Sequence, residues 1–193
     1  AFGDVSDEES VKSMIDSVIK NYGRLDIACN SAALSRGAGP IHEYTREVFD
    51  QTLQMCLTNT WLCMKYEIAA MLKTGGGAIV NTASINALQP GPMQAIYSIT
   101  KAAVVNMTKT LAWNLGPEIR VNAVAPGWME GEWMERMLKD KYDDLMGRRA
   151  KLTPLKRCVT AEDVAETMMS LIQGNRFVTG EIIVIDGGFT SST

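Results

Sequence analysis

The chain has 193 residues, a formal net charge of −3 from 19 lysines and arginines against 22 acids, and one histidine. That length suits a single domain spanning 1–193, with room for a sizeable core. Mild acidity without a basic run argues against a nucleic-acid face, no apolar stretch reaches the roughly 18 residues of a membrane helix, and a lone histidine cannot form a histidine metal cluster. The four cysteines, Cys29, Cys56, Cys63 and Cys158, show neither metal-ligand spacing nor a disulfide framework. They read as free, mostly buried thiols of a reducing cytosol, so the expected localisation is cytoplasmic. His42 lies in a loop-like stretch and is the only residue on which a Ser-His-Asp triad could be built.

Along the chain, the segment "DEESVKSMIDSVIKNYG" predicts a helix: acids at its start, Val11, Met14, Ile15 and Val18 at helical spacing, and a stop at Gly23. The run "LDIACN" then reads as a strand. Next, "TREVFDQTLQMCLTNTWLCMKYEIAAMLKTGGG" predicts a long helix that its glycines terminate. Strand "GAIVNTAS", helix "IYSITKAAVVNMTKTLAWNLGPE" and strand "IRVNAVAP" follow, and "AEDVAETMMSLI", with Thr160 as N-cap, precedes a final strand "EIIVID". The strand runs are nearly continuous in apolar residues, as expected of parallel strands buried on both faces. Alternating helix and strand predicts an α/β fold with a layered parallel sheet. Residues 128–160 break the rhythm: they are long for a strand-to-helix connection and gather Trp128, Met129, Trp133, Met134 and Met137 among charges. Such an insertion beyond a strand's C-terminal end suits a lid or substrate wall, the simpler reading being a helical hairpin packed for stability alone.

Ligands of α/β sheets sit beyond the C-terminal strand ends, where Ser84 closes the strand "GAIVNTAS". Tyr97 and Lys101 stand four apart near the start of the next helix and so share a face. A free phenol, with a pKa near 10, exchanges protons poorly at neutrality; a neighbouring ammonium favours the phenolate and is expected to bring that value down. The pair then makes a general acid and base, with Ser84 placed to hydrogen-bond a substrate oxygen. On its own, a Tyr-x-x-x-Lys spacing is common on ordinary helices.

The surrounding motifs carry more weight. "GRLDIACNSAA", "NTAS" followed by "YSITK", "IRVNAVAPGWM" and "VTGEIIVIDGG" together resemble the classical short-chain dehydrogenase/reductase family over nearly the whole chain. The resemblance implies a Rossmann-like doubly wound parallel sheet and hydride transfer between NAD or NADP and a small carbonyl or alcohol substrate. It implies Tyr97 as acid/base, Ser84 orienting the substrate oxygen and Lys101 also holding the nicotinamide ribose. It further places Asp4 and Val5 against the adenine, Asn30 and Ala32 in the cofactor wall, and Pro126, Gly127 and Met129 on the nicotinamide side. Homo-oligomers are common in the family. Asn30 could equally tie strands together, and Pro126-Gly127 could be only a turn.

The sequence departs from the family pattern in several places. The family's first strands and Gly-x-x-x-Gly-x-Gly turn have no counterpart, so the expected sheet is N-terminally truncated and pyrophosphate binding by this chain is doubtful. Gly75, Gly76 and Gly77 precede a strand and read as a helix stop. Strand "LDIACN" would then present an unpaired edge. Cys56 falls where the family has an asparagine serving the proton relay, and a thiol is a weak hydrogen-bonding group. Asn59 is expected on a different side of that helix. Ser31 and Ala33 replace an asparagine and a glycine, and Gly131 stands where a threonine is frequent. Two functions follow: an NAD(P)-dependent oxidoreductase, or a truncated non-catalytic α/β domain acting as an interaction subunit.

Overall fold

In a computed structural model, residues 3–34 and 38–191 are described. Helix α1 (Glu8–Tyr22) starts where Asp7 accepts a hydrogen bond from the Ser10 amide at 2.8 Å, and ends where Gly23, at φ 78°, turns its N–H back to the Ile19 carbonyl. Strand β1 (Ile27–Asn30) follows. The long predicted helix is real but not uniform. It comprises α2 (Arg46–Leu53), a π-helical stretch (Gln54–Thr58) and α3 (Asn59–Thr74). Strand β2 (Gly77–Thr82), helix α4 (Ala95–Leu115) and strand β3 (Ile119–Pro126) come next. Helices α5 (Glu132–Leu138) and α6 (Tyr142–Leu152) form the insertion, and α7 (Ala161–Met169) leads to β4 (Ile182–Ile185).

The four strands form one parallel sheet in the order β1-β2-β3-β4, with Asn30 beside Asn81, Thr82 beside Val124 and Pro126 beside Ile185. Every strand therefore ends on the same side, which places the candidate residues along one rim. Strand residues alternate between two helical layers. Ala28, Ile79 and Val121 meet α1, α3 and α4 through Ile15, Met64, Met71 and Ala112. Val80 and Val124 meet α7 through Val164 and Met168, and Leu171 just beyond that helix. This is a Rossmann-like α/β arrangement.

Burial on both faces holds for β2 and β3 and fails for the outer strands. Ile27 of β1 is 46% exposed and Val184 of β4 is 39% exposed. Among the described residues β1 is an edge strand, with Ile27 and Cys29 both exposed. The glycine stop after α3 has a steric cause. Gly75 closes the helix at φ 101°, and a Cβ on Gly76 would lie 2.0 Å from the Glu118 carbonyl oxygen.

The insertion is pinched at its base. Met129 bridges Val159, with the Val159 N–H donating to the Trp128 carbonyl and the Glu130 N–H donating to that of Val159. Between these ends Met134, Met146 and Cys158 bury one another beside Trp128, Leu138 and Tyr142, and the Arg149 guanidinium lies 4.4 Å from the Trp128 ring centre. The segment thus has a small core of its own.

Candidate active site

Ser84 stands two residues past the end of β2 and is 9% exposed. Its Oγ accepts from the Asn86 amide at 3.2 Å and stands close enough to the Tyr97 phenol to favour its ionised form. Tyr97 lies in the first turn of α4, and Lys101 one turn further is 2% exposed. Its ammonium donates to the Thr82 carbonyl at 2.8 Å and lies 5.8 Å from the centre of the Tyr97 ring. The structure therefore gathers the three side chains at the C-terminal rim of the sheet.

The electrostatics differ from the sequence expectation. Burial pushes the Tyr97 phenol above its ordinary value, and the Ser84 hydroxyl only opposes that rise. Burial also lowers Lys101. The ammonium is directed at the Thr82 carbonyl rather than at the phenolic oxygen, so desolvation outweighs the charge effect expected from spacing alone.

Cys56, fully buried, sits behind this group. Its Sγ donates weakly to the Leu34 carbonyl at 3.4 Å, and burial raises its thiol while Lys101 pulls the other way. Asn59 does not lie on a different side. Its amide donates to the Ala32 carbonyl at 2.6 Å, so both side chains reach the segment that follows β1. Residues three apart share a helix face, and the π-helical stretch, where the Asn59 N–H bonds Gln54, re-aims that face.

The remaining candidates divide. Asn30 spends its amide on Glu67 and on Asn81, each at 3.0 Å, so its side chain ties β1 to β2 and to α3. Val5, Asn30 and Ala32 line one concavity of about 200 Å³ together with Ser31, Asn59 and Glu67. Asp4 is exposed and its carboxylate accepts from the Ser6 amide and hydroxyl, which holds it below its usual value. Pro126 and Gly127 end β3, where the Gly127 N–H donates to Ile185 and a Cβ would meet that of Asp186 at 2.8 Å. Met129 packs into the apolar cluster of the α7 layer. Sequence reasoning set Asn59 aside and passed over Thr82 and Glu67. Of these only Glu67, a charge on an otherwise apolar helix face, left a signal.

The residues present suit a nicotinamide dinucleotide. A buried ammonium and a hydroxyl–phenol pair stand beside strand ends, next to a polar-walled concavity. No group of three or more possible metal ligands occurs among the described residues. Such a fold and rim define an oxidoreductase of the Rossmann-like class. Residues 2–190 match the family model described as enoyl-(acyl carrier protein) reductase. The chain is 36% identical over 191 residues to 2,5-dichloro-2,5-cyclohexadiene-1,4-diol dehydrogenase of Sphingobium indicum, covering 97% of this chain and 76% of that protein. Among solved structures it is similar to ElxO with NADP bound, at 35% identity and a TM-score of 0.90, covering 97% of this chain and 76% of that one. It is also similar to NAD+-bound xylitol dehydrogenase, at 28% identity and a TM-score of 0.90, covering 97% and 78%. The chain belongs to the classical short-chain dehydrogenase/reductase family, whose oxidoreductases use NAD or NADP. That membership favours the enzyme over the interaction subunit.

Proposed function

We propose that the chain interconverts a small carbonyl compound and its secondary alcohol, with Tyr97 as acid/base, Ser84 as the group that orients the substrate oxygen, and Lys101 as the residue behind both. The carrying observation is the gathering of Ser84, Tyr97 and Lys101 at the sheet rim, with Lys101 buried one turn beyond Tyr97 and its ammonium donating to the Thr82 carbonyl. A bound nicotinamide would supply or accept the hydride. Asn30, Ala32 and Val5 would hold the adenosine end, and Lys101, Pro126, Gly127 and Met129 the nicotinamide end, with Asp4 at the edge.

In this reading Ser84 donates to the carbonyl oxygen and fixes its direction. Tyr97 is kept protonated by its burial and delivers that proton as negative charge develops on the oxygen, then recovers it in the reverse direction. Lys101 stabilises the phenolate that remains. The insertion 128–160, with Trp133 and Met137 part-exposed, supports an apolar substrate wall. Trp61 with Leu72 on α3, and Ile99 with Trp113 on α4, are exposed pairs spaced by nearly whole helical turns, which supports a homo-oligomer, and the four free cysteines fit a reducing cytosol. Titration with NADH and NADPH, followed by nicotinamide fluorescence and thermal shift, tests the reading. Saturable binding is expected with one of them, and no change at millimolar cofactor would overturn it.

A further inference from the structure

Glu67 is 5% exposed on α3, and among the described residues no cation pairs with it. Its Oε2 accepts from the Asn30 amide, which also donates to Asn81. Asn81 in turn donates to Thr108 of α4 at 3.0 Å. One carboxyl therefore anchors a chain of side chains that ends β1 and crosses two strands to a second helix. It also lines the 200 Å³ concavity whose other walls are Asn30, Ser31, Ala32 and Val5. The groups that face it there are Cys29 from β1, Cys63 from its own helix and the apolar Met14 from α1, so nothing nearby neutralises a charge.

We propose that Glu67 is a positioning residue for the cofactor wall: as a neutral carboxyl it holds Asn30 and so fixes residues 30–32, and on ionising it draws water into the concavity and loosens them. This rests on reading residues 30–32 as part of the cofactor site. The Asn30 hydrogen bond by itself favours the carboxylate, but the cost of burying that charge outweighs it, and hydration through the neighbouring concavity is what relieves the cost. Burial places the titration of Glu67 at about 7, inside the working range of a cytosolic enzyme. Affinity for the dinucleotide should then fall as pH rises through neutrality, with a smaller change in kcat, because the network reaches Lys101 indirectly, through the Ser31–Thr82 hydroxyl pair at 2.9 Å and the Thr82 carbonyl that holds the ammonium.

The test uses the whole chain, as wild type and as Glu67→Gln, which keeps an acceptor for Asn30 but cannot ionise. With carboxyl-labelled glutamate, the wild-type Glu67 carbon signal should titrate near neutrality. Over the same interval the amides of Ser31 and Ala32 should exchange faster than base catalysis alone requires, and E67Q should lack that excess. NADH or NADPH dissociation should weaken roughly fivefold across this interval in wild type, the low end of ordinary site coupling, and stay level in E67Q. Titration of Glu67 at an ordinary carboxyl value would overturn the proposal without need of the variant, as would identical exchange profiles for the two proteins. Failure of wild type to bind either cofactor at any pH would instead remove the cofactor reading, while the carboxyl and exchange measurements still decide whether the wall responds to Glu67.

Discussion

Tyr97 meets Ser84 through its hydroxyl and Lys101 along its helix, and each contact carries a separable consequence. Removing only the phenolic oxygen, in Tyr97→Phe, should lower turnover by about 10² to 10⁴, the usual worth of a positioned acid/base, with an unchanged circular dichroism spectrum. An unchanged rate of NAD(P)H oxidation would refute the assignment. Cys56 offers Lys101 little hydrogen bonding, so Cys56→Asn should raise kcat several-fold in the same assay; a lower kcat with intact folding would show that the thiol is no handicap. The three side chains were readable because their spacing is local to a strand end and one helix turn. The direction of the Tyr97 shift was not readable. It depends on how deeply the phenol is buried and on where the lysine points, and the Thr82 carbonyl that captures the ammonium belongs to a different element.

At the scale of elements, continuous apolar runs and charged, capped helices read correctly because each signal is carried by neighbouring residues. Thr160 shows this: it caps α7 in a reciprocal arrangement with Asp163, whose carboxylate Arg157 and Thr160 hold well below its usual range. Thr160→Ala should cost about 1 kcal/mol in urea unfolding. Gly76 is a harsher site, since a side chain there meets Glu118 backbone and φ is 99°. Gly76→Ala should destabilise by several kcal/mol or prevent folding, as read by the thermal midpoint. The π-helical stretch was illegible in "QTLQMCLTNT", because one extra residue in a helical turn leaves the apolar periodicity almost intact while re-aiming Cys56 and Asn59 toward the loop after β1. The outer strands misled for a related reason. An apolar run reports that a strand can be covered on both faces, and only the neighbouring layers decide whether it is.

For the molecule as a whole, two features govern behaviour in solution. The β1 edge exposes backbone and Ile27, so purified chain should self-associate through residues 25–33. A monomer in sedimentation with slow amide exchange throughout that segment would contradict this. The buried Glu67 contributes to the pH dependence of stability between pH 4.5 and 7. Its folded value of about 7 lies above its unfolded 4.5, so the folded state binds the proton more tightly. Stability should therefore be greatest below about pH 4.5 as far as this group is concerned, and decline by about 3 kcal/mol as pH rises to 7. Asp4, Glu8, Asp144 and Asp163 shift downward, and their opposing effect lies below pH 3.8 to 4.5, outside that window. Urea titrations at successive pH values should show the decline in wild type and not in E67Q.

The insertion is closed at its base by a clasp between Met129 and Val159, touches the sheet domain again where the Leu155 N–H donates to the Gly187 carbonyl and Arg149 lies 5.7 Å from the Phe189 ring centre, and carries its own buried centre. A segment with its own centre can be exchanged as a cassette: under the proposed role as substrate wall, grafting the corresponding stretch of a relative between those two positions, with Leu155 and Arg149 kept for their contacts to Gly187 and Phe189, should transplant substrate preference while leaving the host framework intact.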